Sequence, residues 1–180
     1  MFDINQVYKV DNFLDDVEVQ AFDHFCGHYV WELDGYSYDS KRMFWRKDLW
    51  ESKWGQCEPI EQTFRTKIES LFGIKLVTEK MYLNGQAHGQ CGSIHSDDTE
   101  DSDPTTDYIT LVYYVNKDWS PEYGGFTVII DDLDNMHINY PRPNSVVIFN
   151  SRLPHVGLEP TSHCTTQRVT MAHKFKIVKE

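Results

Sequence analysis

Two histidines and one aspartate are the residues of this sequence best suited to binding a metal ion. His95 and Asp97 flank Ser96, and His155 lies well downstream, just after an apolar run. Two imidazoles and one carboxylate are the set that holds non-haem Fe(II) while leaving other coordination positions open for reactants. One interpretation is therefore a metal site that does chemistry, with His95, Asp97 and His155 as its ligands.

The spacing of His95 and Asp97 suits a strand. Side chains two residues apart in a strand point to the same face, so both could reach one ion, whereas Asp98 would point away. The alternative is that the triplet only forms a hydrogen bond within a turn, which is the commoner role of such a triplet, and that His155 is an exposed loop histidine. The residues alone leave both interpretations open.

Arg168 is the second candidate for chemistry, because it opens a predicted strand that could enter the protein interior. Arg168 and Thr170 would share one face of that strand. A buried guanidinium needs an anion, and it binds a carboxylate through two parallel hydrogen bonds. We therefore expect either a carboxylate ligand at Arg168 or a surface salt bridge on an edge strand.

Other potential ligands are less favourable. His24 and His28 lie four residues apart on a predicted helix, a spacing that can bind a metal, but no third ligand is evident near them. The four cysteines form no CxxC pair, which favours free thiols over a disulfide or zinc framework. They are Cys26, Cys57, Cys91 and Cys164.

Two helices followed by many short strands are predicted to position these residues. Apolar residues at helical spacing predict one helix from Asp15 or Asp16 to about Tyr29 and a second from Pro59 to Phe72. Runs rich in β-branched and aromatic residues predict strands at 7–10, 75–82, 108–116, 126–130, 136–140, 145–150 and 168–178. This order indicates a mainly β fold, a sandwich or barrel with the helices packed outside it.

Two segments resist assignment to an element. Residues 36–55 concentrate aromatic and basic side chains; packing of these rings on the outer face of the barrel is the preferred interpretation, and a recognition surface is the alternative. Residues 98–107 carry five acidic side chains and a proline. They are predicted to form a loop, which is either a lid over the metal site or a solvated surface loop.

The composition limits the possible partners. The 180 residues carry a net charge of −11, and phosphate backbones repel such a surface, which disfavours nucleic-acid binding. No apolar run approaches the roughly 20 residues of a membrane span, and the N-terminus lacks signal-peptide features. We expect a cytoplasmic protein with a single domain over 1–180, in which 1–73 form a helical support and 74–180 the β core.

The sequence resembles the Fe(II)/2-oxoglutarate-dependent dioxygenases, and most closely their prolyl 4-hydroxylase-like branch. Residues 109–119, with Gly124 and Gly125 after them, look like the segment that follows the metal triplet in hypoxia-sensing prolyl hydroxylases. Residues 144–149, leading to Pro154 and His155, look like the family's approach to its distal histidine. The resemblance covers about residues 82–175 and extends to small oxygenases of bacteria and their phages; a phage-encoded protein would act in the host cytoplasm.

The resemblance implies a double-stranded β-helix, or jelly roll, with the metal inside one mouth. It also implies Fe(II), 2-oxoglutarate and O2 as reactants, with ascorbate as an additional ligand. His95, Asp97 and His155 would hold the metal. The distal carboxylate of 2-oxoglutarate would be bound by Arg168, Thr170 and Tyr114, and Tyr82 would line the same pocket.

The implied reaction is hydroxylation of a C–H bond, with a prolyl residue in a peptide or protein as the expected substrate. A small molecule or another side chain is the alternative within the enzyme class. A non-catalytic metal-binding jelly-roll module is the alternative outside it. A nucleic-acid demethylase of the same superfamily is disfavoured by the acidic charge.

Overall fold

The computed structural model describes residues 2–27, 31–36, 43–49, 54–97 and 105–178. Strands predominate over helices in this part of the chain. In chain order the elements are β1 (Tyr8–Asp11), α1 (Asp16–Gly27), β2 (Glu32–Gly35), β3 (Phe44–Asp48), α2 (Trp54–Phe72), β4 (Lys75–Gln86), β5 (Tyr108–Tyr114), β6 (Thr127–Ile130), β7 (Met136–Asn139), β8 (Ser145–Asn150), β9 (His155–Gly157) and β10 (Arg168–Val178).

Two antiparallel sheets contain all of these strands. The larger sheet has the order β1-β8-β5-β10-β4-β3-β2, and the smaller has the order β7-β6-β9. The prediction of a mainly β fold is confirmed, and residues 1–73 contribute three strands to the larger sheet besides the two helices. Neither helix in the described ranges has both the length and the apolar character that crossing a bilayer requires.

Both helices lie where apolar periodicity predicts them; α1 starts at Asp16 as predicted, and only the start of α2 differs. Asp15 caps α1 through a reciprocal pair of hydrogen bonds, in which Glu18 N donates to Asp15 Oδ1 and Asp15 N donates to Glu18 Oε2, each at 2.8 Å. Helix α2 begins at Trp54, before the predicted start at Pro59. Pro59 is the sixth residue of α2, where its missing N–H removes one hydrogen bond of the helix. Tyr29 and His28 lie outside the described residues.

The predicted strands are all present, and three short strands were not predicted. Strand β4 runs four residues beyond its predicted end at Tyr82, to Gln86. Strands β2, β3 and β9 have five residues or fewer, too short for alternation to be visible in the sequence. Of the predicted loop 98–107, only the last three residues are described, so the lid prediction lies outside the described part of the chain.

Alternation in the larger sheet separates a core face from a functional face. One face packs against the helices, where Phe22 and Phe64 contact the ring of Tyr113 edge-on. On β10, Met171 and Phe175 belong to this core, whereas Arg168, Thr170 and Lys174 point to the opposite side. That opposite side faces the smaller sheet, and the space between the two sheets holds the candidate site.

Candidate metal centre and its cavity

His95, Asp97 and His155 converge in the structure. Their ligand atoms all lie within 4.8 Å of one another, and no other such cluster of histidine, cysteine and acidic side chains occurs in the described ranges. His155 Nε2 is 3.5 Å from Asp97 Oδ2, and His95 Nε2 is 3.8 Å from Asp97 Oδ1. The sequence-based grouping of these three residues therefore matches their spatial arrangement.

The backbone brings the two histidines together through an isolated antiparallel bridge. His95 N donates to His155 O at 3.0 Å, and His155 N donates to His95 O at 2.8 Å. Asp97 N donates to Ser151 O at 2.9 Å, which fixes the aspartate against the same segment. The prediction of a strand through His95 and Asp97 is corrected to this single bridge, and His155 opens β9 with only 6% exposure instead of lying in an exposed loop.

Each imidazole has a defined tautomer. His95 Nδ1 lies 2.9 Å from Ser93 O, and His155 Nδ1 lies 2.9 Å from Leu153 O. A carbonyl oxygen only accepts hydrogen bonds, so both Nδ1 atoms carry a proton, and it is Nε2 of each neutral imidazole that offers a lone pair to a metal. This is the arrangement by which proteins orient metal-binding histidines.

The electrostatics favour the ionisation states that a metal needs. Burial alone would raise the pKa of Asp97, but His155, Lys174 and Thr110 together hold it below its usual range. Burial lowers the pKa of His155, against the opposing effect of Asp97. A carboxylate beside a neutral imidazole is therefore the state at neutral pH, and these are the forms that bind metal.

A cavity of about 260 Å³ connects this cluster to Arg168. Strands β4, β5 and β10 supply one wall and β6 and β9 the other. Its size suits a small dicarboxylate beside a metal ion. The lining includes His95, Asp97, His155, Thr110, Val112, Tyr82, Gln86, Thr127, Gly157, Arg168, Thr170 and Lys174.

Arg168 is a buried cation with neutral partners. It is 2% exposed, and it donates to Gly125 O at 2.6 Å, to Gln86 Oε1 at 2.8 Å and to Thr127 Oγ1 at 2.8 Å. Among the described residues no carboxylate pairs with it, and burial lowers its pKa. Of the two alternatives that the sequence left open, a guanidinium in this state is suited to an anionic ligand and not to a surface salt bridge.

Two glycines leave room for the guanidinium. A Cβ on Gly125, whose φ is +69°, would lie 3.0 Å from Arg168 Cδ, and a Cβ on Gly157 would lie 3.3 Å from Arg168 Nη1. The Gly124-Gly125 pair noted in the sequence thus has a physical role, because a side chain at the second position would displace the arginine.

The remaining predicted site residues have different positions. Thr170 lines the cavity at 3.5 Å from Arg168 Nη1. Tyr114 is buried beside the cavity; its hydroxyl donates to Thr127 Oγ1 at 2.9 Å, and Arg168 Cζ lies 5.7 Å from its ring centroid. Tyr82 lines the cavity, and Arg46 Cζ lies 4.9 Å above its ring.

Sequence reasoning missed several residues of the site. Gln86 and Thr127 bind Arg168, and Thr110 and Lys174 bind Asp97. Lys174 shares its strand face with Arg168 and Thr170, so alternation along β10 was the available signal. Gln86 shares its face with Tyr82 in the same way, but Thr127 lies on another strand, and its contact depends on tertiary packing.

Part of the aromatic and basic segment 36–55 faces the cavity. Phe44 and Arg46 on β3 and the exposed Tyr36 contribute to the lining, so these side chains do not pack on the outer face of the barrel. Trp45 points to the other side, toward Gly85. Trp50 and the side chain of Trp54 lie outside the described part of the chain.

The donor set and the cavity fit a ferrous ion and a dicarboxylate. Two unprotonated imidazole nitrogens and a carboxylate oxygen suit Fe(II). The buried guanidinium at the other end of the cavity suits one carboxylate of 2-oxoglutarate. The arrangement can therefore hold both groups within one cavity.

Comparison with known proteins agrees with this arrangement. The sequence model of the 2OG-Fe(II) oxygenase superfamily matches residues 80–176. Solved structures of similar fold include a prolyl-4-hydroxylase of Pseudomonas putida, with 18% identity and a TM-score of 0.68 over 94% of this chain and 91% of that chain. No curated protein matches the sequence.

Two further structures differ in what they bind. A prolyl hydroxylase of Trichoplax adhaerens, in complex with a peptide fragment of the hypoxia inducible factor oxygen degradation domain, has 16% identity and a TM-score of 0.69, covering 95% of this chain and 83% of that chain. HygX of Streptomyces hygroscopicus, with nickel, 2-oxoglutarate and hygromycin B bound, has 13% identity and a TM-score of 0.68, covering 94% of this chain and 82% of that chain.

These likenesses confirm the predicted fold, a double-stranded β-helix formed by the two sheets, and its similarity to the prolyl 4-hydroxylase branch. The family match covers more than half of the chain and includes His95, Asp97, His155 and Arg168. The chain therefore belongs to the 2OG-Fe(II) oxygenase superfamily.

Proposed function

We propose that this Fe(II)- and 2-oxoglutarate-dependent oxygenase hydroxylates a C–H bond of a prolyl residue in a peptide or protein. The observation that carries the proposal is the arrangement of the cavity, which has the two-histidine, one-aspartate cluster on its wall and the buried Arg168 at a separate position. We treat residues 1–180 as one oxygenase domain acting in the cytoplasm.

The proposed roles follow from the contacts. His95, Asp97 and His155 would hold Fe(II), and the Fe(II)–2-oxoglutarate pair when bound supplies the O2-dependent oxidation of a C–H bond. Arg168 binds the far carboxylate of 2-oxoglutarate, and Thr170 adds a hydroxyl near it. Tyr114 and Tyr82 support the same pocket, and ascorbate remains a prediction from the resemblance.

The buried partners of Arg168 hold its guanidinium in place. Its partners Gln86 and Thr127 are themselves buried, so the guanidinium keeps one orientation without a ligand carboxylate to align it. Val112 adds an apolar side chain to a cavity wall that is otherwise mostly polar. The protein thus contributes the orientation of the co-substrate to the reaction.

The prolyl substrate is supported by the likeness to two prolyl hydroxylases, one of them holding a peptide. A small-molecule substrate is the second candidate, favoured by the equal likeness to HygX, which holds hygromycin B. The rim of the cavity is partly aromatic, with Tyr36 and Phe44, and rings of this kind pack against a proline ring or a small apolar ligand.

The test follows succinate and substrate together. Purified protein is incubated anaerobically with Fe(II) and 2-oxoglutarate, O2 is admitted, and succinate is measured with proline-containing peptides and with the same peptides carrying alanine at each proline. We expect more succinate, and peptides that gain one oxygen atom, only with the proline series. Succinate without any oxidised peptide would favour a small molecule, and a complete lack of succinate would favour the non-catalytic module.

The ligand assignment is tested in the same assay. His155→Ala should abolish succinate formation, because the imidazole that it removes is one of three ligands. His163→Ala is the matched control, since His163 is exposed and lies outside the cavity. Unchanged turnover in His155→Ala would contradict the assignment.

A further inference from the structure

The Asp97 carboxylate is held by two side chains of the larger sheet. Lys174 Nζ lies 2.7 Å from Asp97 Oδ1 and donates to Asp97 O at 3.2 Å. Thr110 Oγ1 donates to Asp97 Oδ2 at 2.7 Å. Each carboxylate oxygen therefore has one protein donor, and the two donors approach from the same wall of the cavity.

These two donors form a cross-strand pair. Thr110 on β5 and Lys174 on β10 are directly opposite each other in the ladder, and both strands are internal to the sheet. Asp97 itself belongs to no strand; its backbone is fixed by the bond to Ser151 O. The orientation of the carboxylate is thus set by the rigid sheet, because its own segment provides no ladder.

Lys174 has no other ionic role in the described part of the chain. Its side chain is 20% exposed, and its ion pair is with Asp97. It lies on the same face of β10 as Arg168, six residues further on, so one strand carries both the buried guanidinium and a cation beside the metal cluster. Thr110 also contacts Ser151 Oγ at 2.9 Å, which fixes its hydroxyl.

We propose that Lys174 and Thr110 are positioning residues that orient the Asp97 carboxylate toward His95 and His155 for metal binding. This inference rests on the proposed function, since it takes Asp97 to be a metal ligand. Residues that hydrogen-bond to a metal ligand fix its orientation, and their loss weakens metal binding by about 10- to 100-fold.

The direction in which metal affinity changes when a lysine is replaced by a neutral residue distinguishes a positioning role from simple charge repulsion. A lysine beside a divalent ion repels it, so removing positive charge alone would strengthen metal binding. Lys80 is the matched control, because it is directly opposite Lys174 on β4 and lines the same cavity, and its Nζ lies 5.7 Å from the centroid of the Tyr82 ring. Positioning predicts weaker metal binding when Lys174 is removed, and no weakening when Lys80 is removed.

The experiment is a titration of the metal-free full chain with Mn(II), read by electron paramagnetic resonance of the free ion. We expect Lys174→Met to weaken Mn(II) binding about tenfold and Thr110→Val several-fold, with Lys174→Arg recovering most of the loss. Lys80→Met should bind Mn(II) as tightly as the wild type or more tightly. Unchanged or tighter binding in Lys174→Met would overturn the proposal.

Two further measurements make every outcome decisive. If Lys174→Met does not fold, Thr110→Val decides, because it changes no charge and little volume, and wild-type affinity in that variant would overturn the proposal. Asp97→Ala distinguishes failure of the metal-site assignment from failure of the positioning role of Lys174. If the wild type binds Mn(II) and Asp97→Ala does not, the metal-site assignment stands whether or not Lys174 contributes. Succinate formation tests the enzyme activity independently.

Discussion

Thr127 accepts a hydrogen bond from Arg168 at 2.8 Å, and the same hydroxyl oxygen accepts one from Tyr114 at 2.9 Å. A hydroxyl has two lone pairs and one proton, so these contacts use its whole accepting capacity and leave the proton to be donated. Because Thr127 lines the cavity, that proton is available to a carboxylate of 2-oxoglutarate.

Replacing Thr127 by valine should therefore raise the KM for 2-oxoglutarate. The change removes a direct donor and also the partner that holds the Arg168 guanidinium, and a hydrogen bond to a charged group contributes about 1.5–3 kcal/mol. We expect a KM about tenfold higher or more, measured through succinate. Tyr114→Phe, which frees a lone pair without removing the donor, should have a smaller effect, and an equal KM in the wild type and Thr127→Val would contradict this role.

Replacing Arg168 by glutamine should raise the KM for 2-oxoglutarate more than replacing Thr127 by valine. The loss of charge-assisted bonds predicts a KM for 2-oxoglutarate about 10- to 100-fold higher, with metal binding retained. Arg142→Gln is the control, because Arg142 pairs with Asp11 at the surface at 3.4 Å. A KM that Arg168→Gln leaves unchanged would place the carboxylate anchor elsewhere.

The two adjacent glycines before β6 should respond differently to alanine. Both have positive φ, 63° at Gly124 and 69° at Gly125, so either substitution should cost about 1–2 kcal/mol of unfolding free energy. Only a Cβ at Gly125 meets Arg168, at 3.0 Å, whereas one at Gly124 meets Thr161. Urea unfolding should show a loss of stability in both variants, whereas the KM for 2-oxoglutarate should rise only in Gly125→Ala. A KM raised in Gly124→Ala alone would contradict this assignment.

Stability should fall in mild acid because of a buried histidine between helix α2 and the larger sheet. Thr78 donates to Glu61 at 2.6 Å, so His173 Nε2 must donate to Thr78 at 2.9 Å, and its Nδ1 has no hydrogen-bond partner. Burial, reinforced by the Arg65 cation, holds the pKa of His173 well below its usual range.

The unfolded chain titrates near the ordinary pKa of about 6.5, so it binds a proton that the folded protein excludes. The contribution of neutral His173 to the free energy of unfolding is therefore complete above about pH 6.5. Below that pH it declines by at most about 1.4 kcal/mol per pH unit. Urea unfolding with a chelator present should show a weaker acid dependence in His173→Gln than in the wild type. His163→Gln should behave as the wild type, and equal acid dependence in all three proteins would refute the assignment.

The sequence predicted the site through alternation and residue type. Arg168 and Thr170 share a face because β10 is regular there. The chemistry of His95, Asp97 and His155 left the metal site open as one of two interpretations, and the family resemblance favoured it. The contacts of Gln86 and Thr127 with Arg168 were not predictable, because they join β4, β6 and β10, which are distant in sequence.

The same limit explains the errors in local structure. His95 was expected in a strand, but the isolated bridge to His155 needs one partner residue and no continuing ladder, so no periodic pattern marks it. Strand β3 was hidden among aromatic residues whose burial differs on its two sides, with Phe44 and Arg46 toward the cavity and Trp45 away from it.

The mutual backbone bonds between His95 and His155, with the bond from Asp97 N to Ser151 O, have an evolutionary consequence. His95 and Asp97 are thus tied by backbone bonds to the segment around residues 151–155, which contains the third ligand, His155. Because backbone groups make these bonds, substitution of neighbouring side chains would leave them in place. Side chains around the metal cluster can therefore change while the positions of the three ligands are inherited.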